Sequence, residues 1–239
     1  MAAVVLLSGG IDSTTCLAMA IREHGSEDTL ALSFEYGQKH RTELDHAEAV
    51  AQHYSARHEV VAFPAVFVGS GSTLIDGGPK NPEVSYEELP EGQSPAYVPF
   101  RNGVFLSAAT AVAVARQYES VYFGAHAEDG QRWAYPDCTP EFIGSMANAV
   151  FVGTYFKVRL LSPLQWLTKR EVVGLGLHLE APYHLTLSCY DGREPACGVC
   201  PTCRSRRDAF RANGLEDPIP YAEPESPVPT IPLVAGRSR

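Results

Sequence analysis

The apolar positions of this chain repeat in a strand-and-helix rhythm. Ala2–Leu7 (AAVVLL) is an unbroken apolar run cut off by Ser8-Gly9-Gly10, which reads as a strand buried on both faces and ended by a glycine turn. Asp12 and Ser13 then stand where the cap of a helix reaching to about Glu23 is expected. Leu30–Phe34 reads as a second strand, Arg41–Tyr54 repeats apolar residues at helical spacing (Leu44, Ala47, Val50, Ala51, Tyr54), and Glu59–Phe63 reads as a third strand. This βαβαβ order predicts a parallel sheet. The rhythm pauses over Gly69–Ala96, a stretch rich in Gly, Pro, Ser and acidic residues that is expected to be a lid or flexible insertion. It resumes with an apolar helix over Arg101–Gln117, a strand at Ser120–Gly124, a polar loop over Ala125–Thr139, a helix at Pro140–Gly153 and a strand at Lys157–Leu161. A last helix is opened by Thr168, with Glu171 at capping-box distance. Residues 216–239 are proline-rich and without periodicity, and are expected to form an extended tail.

Composition narrows this picture. At 239 residues, 45% hydrophobic and 20% charged, the chain suits a single domain, expected over 1–215, plus the tail. A formal charge of −9 argues against a surface that grips long nucleic acid and for a small substrate or a protein partner. The apolar start is too short for a signal peptide or a membrane span, so a cytoplasmic protein is expected.

Four of the six cysteines crowd together as Cys189-x7-Cys197-x2-Cys200-x2-Cys203, with Gly192, Gly198 and Pro201 turning the backbone around a common centre. Four thiolates at ligand spacing predict a closed structural metal site, a knuckle over 188–206. Zinc is favoured, and an iron–sulfur cluster is the alternative. Such a metal holds the C-terminal segment and is expected to stay clear of substrate. Cys16 reads as a small buried residue, and Cys138 as packing in preference to a nucleophile, because no histidine is locally placed to activate it.

Ser8-Gly9-Gly10-Ile11-Asp12-Ser13-Thr14-Thr15 lies between a parallel strand and a helix, where glycines admit phosphates to the backbone and the helix N-terminus favours anions. It is neither a Walker A loop nor a dinucleotide fingerprint. SGGxDS after an apolar strand resembles the PP-loop of the N-type ATP pyrophosphatases, which cleave ATP to AMP and pyrophosphate to activate a carbonyl or carboxylate. The resemblance implies Mg²⁺ at the phosphates, with Asp12 the natural carboxylate near it.

The whole chain resembles one family of that class, the 7-cyano-7-deazaguanine synthases. The matching pieces are SGGIDSTTCL at Ser8–Leu17, EYGQKHRTEL at Glu35–Leu44, VPFRNGVFLS at Val98–Ser107, YPDC at Tyr135–Cys138, PEF at Pro140–Phe142, and SCY with the four cysteines. The resemblance implies an α/β, adenine-nucleotide-hydrolase-like (Rossmann-like) fold with a five-stranded parallel sheet and helices on both faces. It further implies a homodimer with one zinc per subunit, and ATP-dependent conversion of 7-carboxy-7-deazaguanine and ammonia to the nitrile through an acyl adenylate and an amide. Carried onto this sequence, Leu7, Ser8, Gly9, Gly10, Ile11, Asp12, Ser13, Thr14, Thr15, Cys16 and Leu17 would hold the nucleotide, and Asp12, Ser13, Arg101 and Asn102 would act in catalysis. Arg101, Tyr135 and Asp137 would bind the deazaguanine, and Cys189, Cys197, Cys200 and Cys203 the zinc.

Simpler structural readings stand beside several of these: Asn102 as a helix cap, Tyr135-Pro136 as a turn, and Lys39-His40-Arg41 as the basic first turn of a surface helix instead of a phosphate contact. His126 and Glu128-Asp129 fall just past the fourth strand, where α/β sheets place ligands. The chain departs from the usual family pattern around YPDC, with Ala134 before it, Thr139 after it and a longer spacing from Asp129 to Tyr135. Those departures leave room for a relative that joins the same carboxylate to a protein or peptide amine as an amide. A tRNA-modifying PP-loop enzyme fits less well with the −9 charge, and nothing in Ser8–Thr15 looks disabled as it would in a non-catalytic binding module.

Overall fold

A computed structural model of the chain describes residues 2–63 and 65–222. Five strands, β1 (Ala3–Leu6), β2 (Thr29–Glu35), β3 (Arg57–Ala62), β4 (Ser120–Tyr122) and β5 (Arg159–Leu161), form one sheet in the order β3-β2-β1-β4-β5. Every pairing is parallel, as the alternation predicts, with Ala3 opposite both Thr29 and Ser120. Six α-helices connect and flank it: α1 (Ile11–His24), α2 (Thr42–His53), α3 (Arg101–Arg116), α4 (Pro140–Gly153), α5 (Lys169–His178) and α6 (Pro201–Ala212).

The central strand shows why both faces must be covered. Along β1, Val4 and Leu6 enter one core with Leu30, Leu32, Phe105, Leu106 and Val150, whereas Ala3, Val5 and Leu7 enter the other with Leu17, Val50, Val172 and Phe210. Period-two alternation therefore buries side chains toward α3 and α4 on one side and toward α1, α2, α5 and α6 on the other. In α3 the buried positions are Gly103 and the series Asn102, Phe105, Leu106, Ala109 and Ala113, the i, i+3, i+4, i+7 stripe of a helix lying on a sheet. The chain runs from β1 outward to β2 and later returns on its other side to β4, so the ends of β1 and β4 form a topological switch point.

Several helix ends differ from expectation. The N-cap of α1 is Gly10, and Asp12 and Ser13 lie within the first turn, so neither side chain spends itself as the cap. Asn102 does not cap α3; the N-cap is Phe100, in left-handed conformation, and the carboxylate of Asp137 accepts from the Asn102 N–H at 3.0 Å instead. Thr168 and Glu171 form the expected capping box of α5.

Helix α6 has no counterpart in the apolar pattern. Its buried face is Cys203, Arg206, Ala209 and Phe210, and the arginine breaks the stripe that would have revealed it. Arg206 is fully buried yet satisfied: Nε and Nη2 donate to the two oxygens of Asp217 at 2.7 and 2.9 Å, Nη1 donates to Thr186 Oγ1 at 2.8 Å, and Nη2 also donates to the Tyr183 carbonyl. Such a fork-to-fork pair carries its own directional specificity.

The start of the tail follows this anchor. The Ala196 N–H donates to the Pro220 carbonyl, the Ala222 N–H donates to the Ala196 carbonyl, and Tyr221 donates to Asp217. Residues 217–222 thus pack on the cysteine-bearing segment, and the tail beyond 222 lies outside the described residues. Among the described residues no helix is long and apolar enough to cross a membrane.

Candidate active site

The loop after β1 opens into a cavity of about 690 Å³ at the switch point. Ser13 organises the loop: its Oγ accepts from the Ser8 N–H at 3.1 Å, donates to the Gly10 carbonyl at 3.1 Å and lies 3.0 Å from Ser8 Oγ. Gly9 has φ +79°, and the Leu187 N–H donates to its carbonyl at 3.0 Å. Gly10, the N-cap of α1, has no side chain to cap the first N–H groups, and with Gly10, Asp12 and Ser13 lining the cavity the helix N-terminus borders it, the arrangement that receives anions. The run Leu7–Leu17 divides by direction. Leu7, Ser8, Gly10, Asp12 and Ser13 line the cavity. Ile11, Cys16 and Leu17 are wholly in the core, Thr14 is buried, and Thr15 turns to the Tyr183 hydroxyl at 2.7 Å. Burial drives the Cys16 thiol far above its ordinary range.

Asp12 has a partner that sequence reasoning missed. Lys169 Nζ, at the first residue of α5, donates to both carboxylate oxygens at 2.7 and 2.6 Å and lies 3.4 Å from His126 Nε2. His126 Nε2 is in turn 3.3 Å from Asp129 Oδ1. Burial works to raise the Asp12 pKa, but the charges of Lys169 and His126 outweigh it and hold the carboxyl below its ordinary value. A signal existed: a lysine at the first turn of a helix opposes the helix dipole, so its placement there after a parallel strand asks for an anionic partner.

Across the cavity, Arg101 Nη1 donates to the Tyr36 hydroxyl at 3.2 Å, and the guanidinium lies over the Tyr36 and Phe105 rings at 5.4 and 5.9 Å. Burial disfavours its charge, while Tyr36, Asp137 and Glu43 together keep it firmly protonated. Asn102 Nδ2 donates to the Asp137 carbonyl and to Cys138 Sγ at 3.3 and 3.1 Å. Asp137 is 4% exposed; burial raises its carboxyl above the ordinary range, against the opposing Asn102 N–H and Arg101. Its carboxylate and carbonyl both accept from Asn102, which ties the 135–138 turn to the first turn of α3. Cys138 lines the cavity, but burial pushes its thiol well up, as suits packing better than nucleophilic attack.

Part of the cavity wall is aromatic. Tyr190 Oη lies 2.9 Å from Tyr86 Oη and 3.0 Å from Tyr135 Oη, and Ser94 Oγ donates to Tyr135 at 3.0 Å. Tyr86 and Ser94 belong to the 69–96 segment, which is fastened further by Asn81 Nδ2 donating to the Tyr190 carbonyl and to Asp191 at 3.0 and 2.8 Å. The segment is thus a cover built onto the cavity. Of the basic triplet, only His40 lines the cavity; Lys39 donates to the Pro79 carbonyl and Arg41 pairs with Glu35 at the surface.

The ligand atoms of Cys189, Cys197, Cys200 and Cys203 lie within 4.8 Å of one another in a buried cluster. Four converging thiols fit a four-coordinate metal. The segment that carries the cysteines also belongs to the site, since Ser188, Cys189, Tyr190 and Gly192 line the cavity. The reason is packing: Leu187 bonds the phosphate loop at Gly9, and Thr42 at the start of α2 donates to the Gly192 carbonyl.

Comparison with known proteins agrees with this geometry. The family described as "Queuosine biosynthesis protein QueC" matches residues 2–214. The chain is 41% identical over 222 residues to the 7-cyano-7-deazaguanine synthase of Oceanobacillus iheyensis, covering 92% of this chain and 97% of that one. It is 38% identical to the protein of that name from Pseudoalteromonas atlantica, with 91% and 97% of the two chains covered, and 39% identical to that of Thermoplasma volcanium, with 92% and 91% covered.

Proposed function

Because the chain belongs to the family of the queuosine biosynthesis protein QueC, we propose that it converts 7-carboxy-7-deazaguanine and ammonia, with ATP, to 7-cyano-7-deazaguanine. The observation that carries this reading is a single cavity joining an anion-binding helix N-terminus to cationic and aromatic side chains. A carboxylate is a poor electrophile, and attaching AMP to it supplies a good leaving group. The Ser8–Ser13 loop and the start of α1 bind the phosphates of ATP, and Lys169 stabilises the charge that grows on the departing pyrophosphate. Arg101 orients the substrate carboxylate toward the α-phosphorus, and Asn102 and Asp137 keep that arginine in position. Tyr135, with Tyr86 and Tyr190, packs on the flat deazaguanine ring.

Asp12, ionised inside the cavity and bonded there to Lys169, is the carboxylate we assign to Mg²⁺, which would neutralise phosphate charge when bound. In this reading the four cysteines bind structural zinc, and the protein works as a homodimer in the cytoplasm. Amine attack on the acyl adenylate gives the amide, and a second activation of the amide oxygen allows loss of water to the nitrile.

Incubation with ATP and 7-carboxy-7-deazaguanine, with and without ammonium, tests the reading by mass spectrometry of the products. Nitrile, AMP and pyrophosphate are expected. AMP with a mass adduct on a protein and no nitrile would assign the amine to a protein instead, and no AMP with that acid would overturn the proposal. Lys169→Met is expected to slow AMP formation about 100-fold, the size of one electrostatic stabiliser, and to lower the melting temperature as well, because Asp12 loses the cation that offsets its burial; an unchanged rate would remove Lys169 from the phosphate site.

A further inference from the structure

Glu43 is an acidic residue of the cavity that the reaction described above leaves unused. It sits in the first turn of α2, where its backbone packs against Gly9 of the phosphate loop, and it lines the same cavity as Arg101 and Tyr36. We propose that Glu43 is the proton acceptor for the incoming amine, taking a proton from ammonium beside the acyl adenylate. The inference rests on the synthase reading and adds a residue to it.

The need is chemical. Ammonium predominates at neutral pH and has no lone pair, so it cannot attack a carbonyl until it loses a proton. In the proposed step, the Glu43 carboxylate takes one proton from ammonium and becomes a carboxylic acid. The freed ammonia donates its lone pair to the acyl carbon, the C–N bond forms, and the bond from that carbon to the AMP oxygen breaks with its electron pair. AMP leaves as its anion, and the surplus proton on the amide nitrogen passes to water.

The placement suits this task. Glu43 lines the cavity beside Arg101, the residue assigned to the substrate carboxylate, and its backbone abuts Gly9 of the phosphate loop. The titratable groups that face it are Arg101 of α3 and Tyr36 after β2; His40 lines the same cavity. On its own helix, His46 is turned away toward the Leu185 carbonyl and Glu194. Burial raises the Glu43 carboxyl to about 7, with Arg101 opposing the rise, so its basicity is matched to a proton transfer near neutral pH. The sign follows directly: below about 7 the group is protonated and cannot accept, so ammonia-dependent turnover falls as pH falls through that value.

Hydroxylamine separates this role from binding or folding, because it is largely uncharged at neutral pH and traps an acyl adenylate as the hydroxamate without a base. Glu43→Gln is expected to lower nitrile formation from ammonium about 100-fold, while hydroxamate formation from the same acid and ATP stays within about twofold of the unsubstituted protein. The acid limb near pH 7 should be present with ammonium and absent with hydroxylamine, and Glu43→Asp should restore part of the ammonium rate. Equal losses with both amines, or a raised KM for the acid alone, would overturn the proposal by assigning Glu43 to binding or structure. Absence of hydroxamate with the unsubstituted protein would overturn the synthase reading itself, and this inference with it.

Discussion

Gly9→Ala is expected to abolish AMP formation and to lower the melting temperature by about 10 °C, corresponding to about 4 kcal/mol for a chain of this size. Two costs combine. Gly9 has φ +79°, a region where a side chain costs about 1–2 kcal/mol. A Cβ there would also stand 2.5 Å from the Glu43 carbonyl oxygen, 2.8 Å from the Ala47 nitrogen and 3.0 Å from His46 Cβ. The first two of these atoms are backbone of α2, so relief requires moving a helix rather than turning a side chain, and overpacking of this kind costs about 1–3 kcal/mol. The loop would be driven off α2 and its N–H groups off the phosphates. Gly10→Ala is the control, because a Cβ at Gly10 meets nothing closer than 3.5 Å; its melting temperature should stay within about 2 °C of the unsubstituted protein. Thermal melts beside an AMP-release assay decide the matter, and a stable, active Gly9→Ala protein would show that α2 does not confine the loop.

Metal removal is the second large effect. A four-thiolate zinc site contributes an apparent binding free energy of about 10–16 kcal/mol near pH 7, comparable with the whole stability of an ordinary domain. Stripping the protein with a strong chelator, or replacing Cys197 by serine, should release the segment that carries Leu187, Tyr190 and Gly192. The phosphate loop would then lose the Leu187 bond to Gly9, and the 69–96 cover would lose Asn81's partners Tyr190 and Asp191. AMP formation should vanish and return when zinc is restored, with one zinc per chain by elemental analysis. Iron and sulfide in that analysis would replace zinc by a cluster, and full activity in the stripped protein would refute the supporting role.

How far the sequence reaches depends on whether a feature is encoded locally. The Ala3–Leu6 strand, its glycine turn and the helix from Ile11 are contiguous, and their apolar run, turn residues and periodicity stand side by side in the chain. The capping box of Thr168 and Glu171 spans one helical turn and is read the same way. Helix α6 was not legible, because the residue that anchors its buried face is an arginine whose charge is met by Asp217, outside the helix. Asp137 was legible as a site candidate, but its hydrogen bond to the start of α3 was not, since that contact links segments 35 positions apart.

The sequence by itself determined the parallel α/β architecture, the phosphate loop and the four-cysteine cluster, each written in residue type at short spacing. The tertiary structure alone decided which groups share the cavity: Lys169 on Asp12 across 157 positions, Tyr190 on Tyr86 across 104, and Glu43 facing Arg101. The reason is physical. Short-range pattern records which face of an element is buried, whereas a hydrogen bond or a raised pKa depends on which distant element supplies the neighbour and on how much water the packing removes.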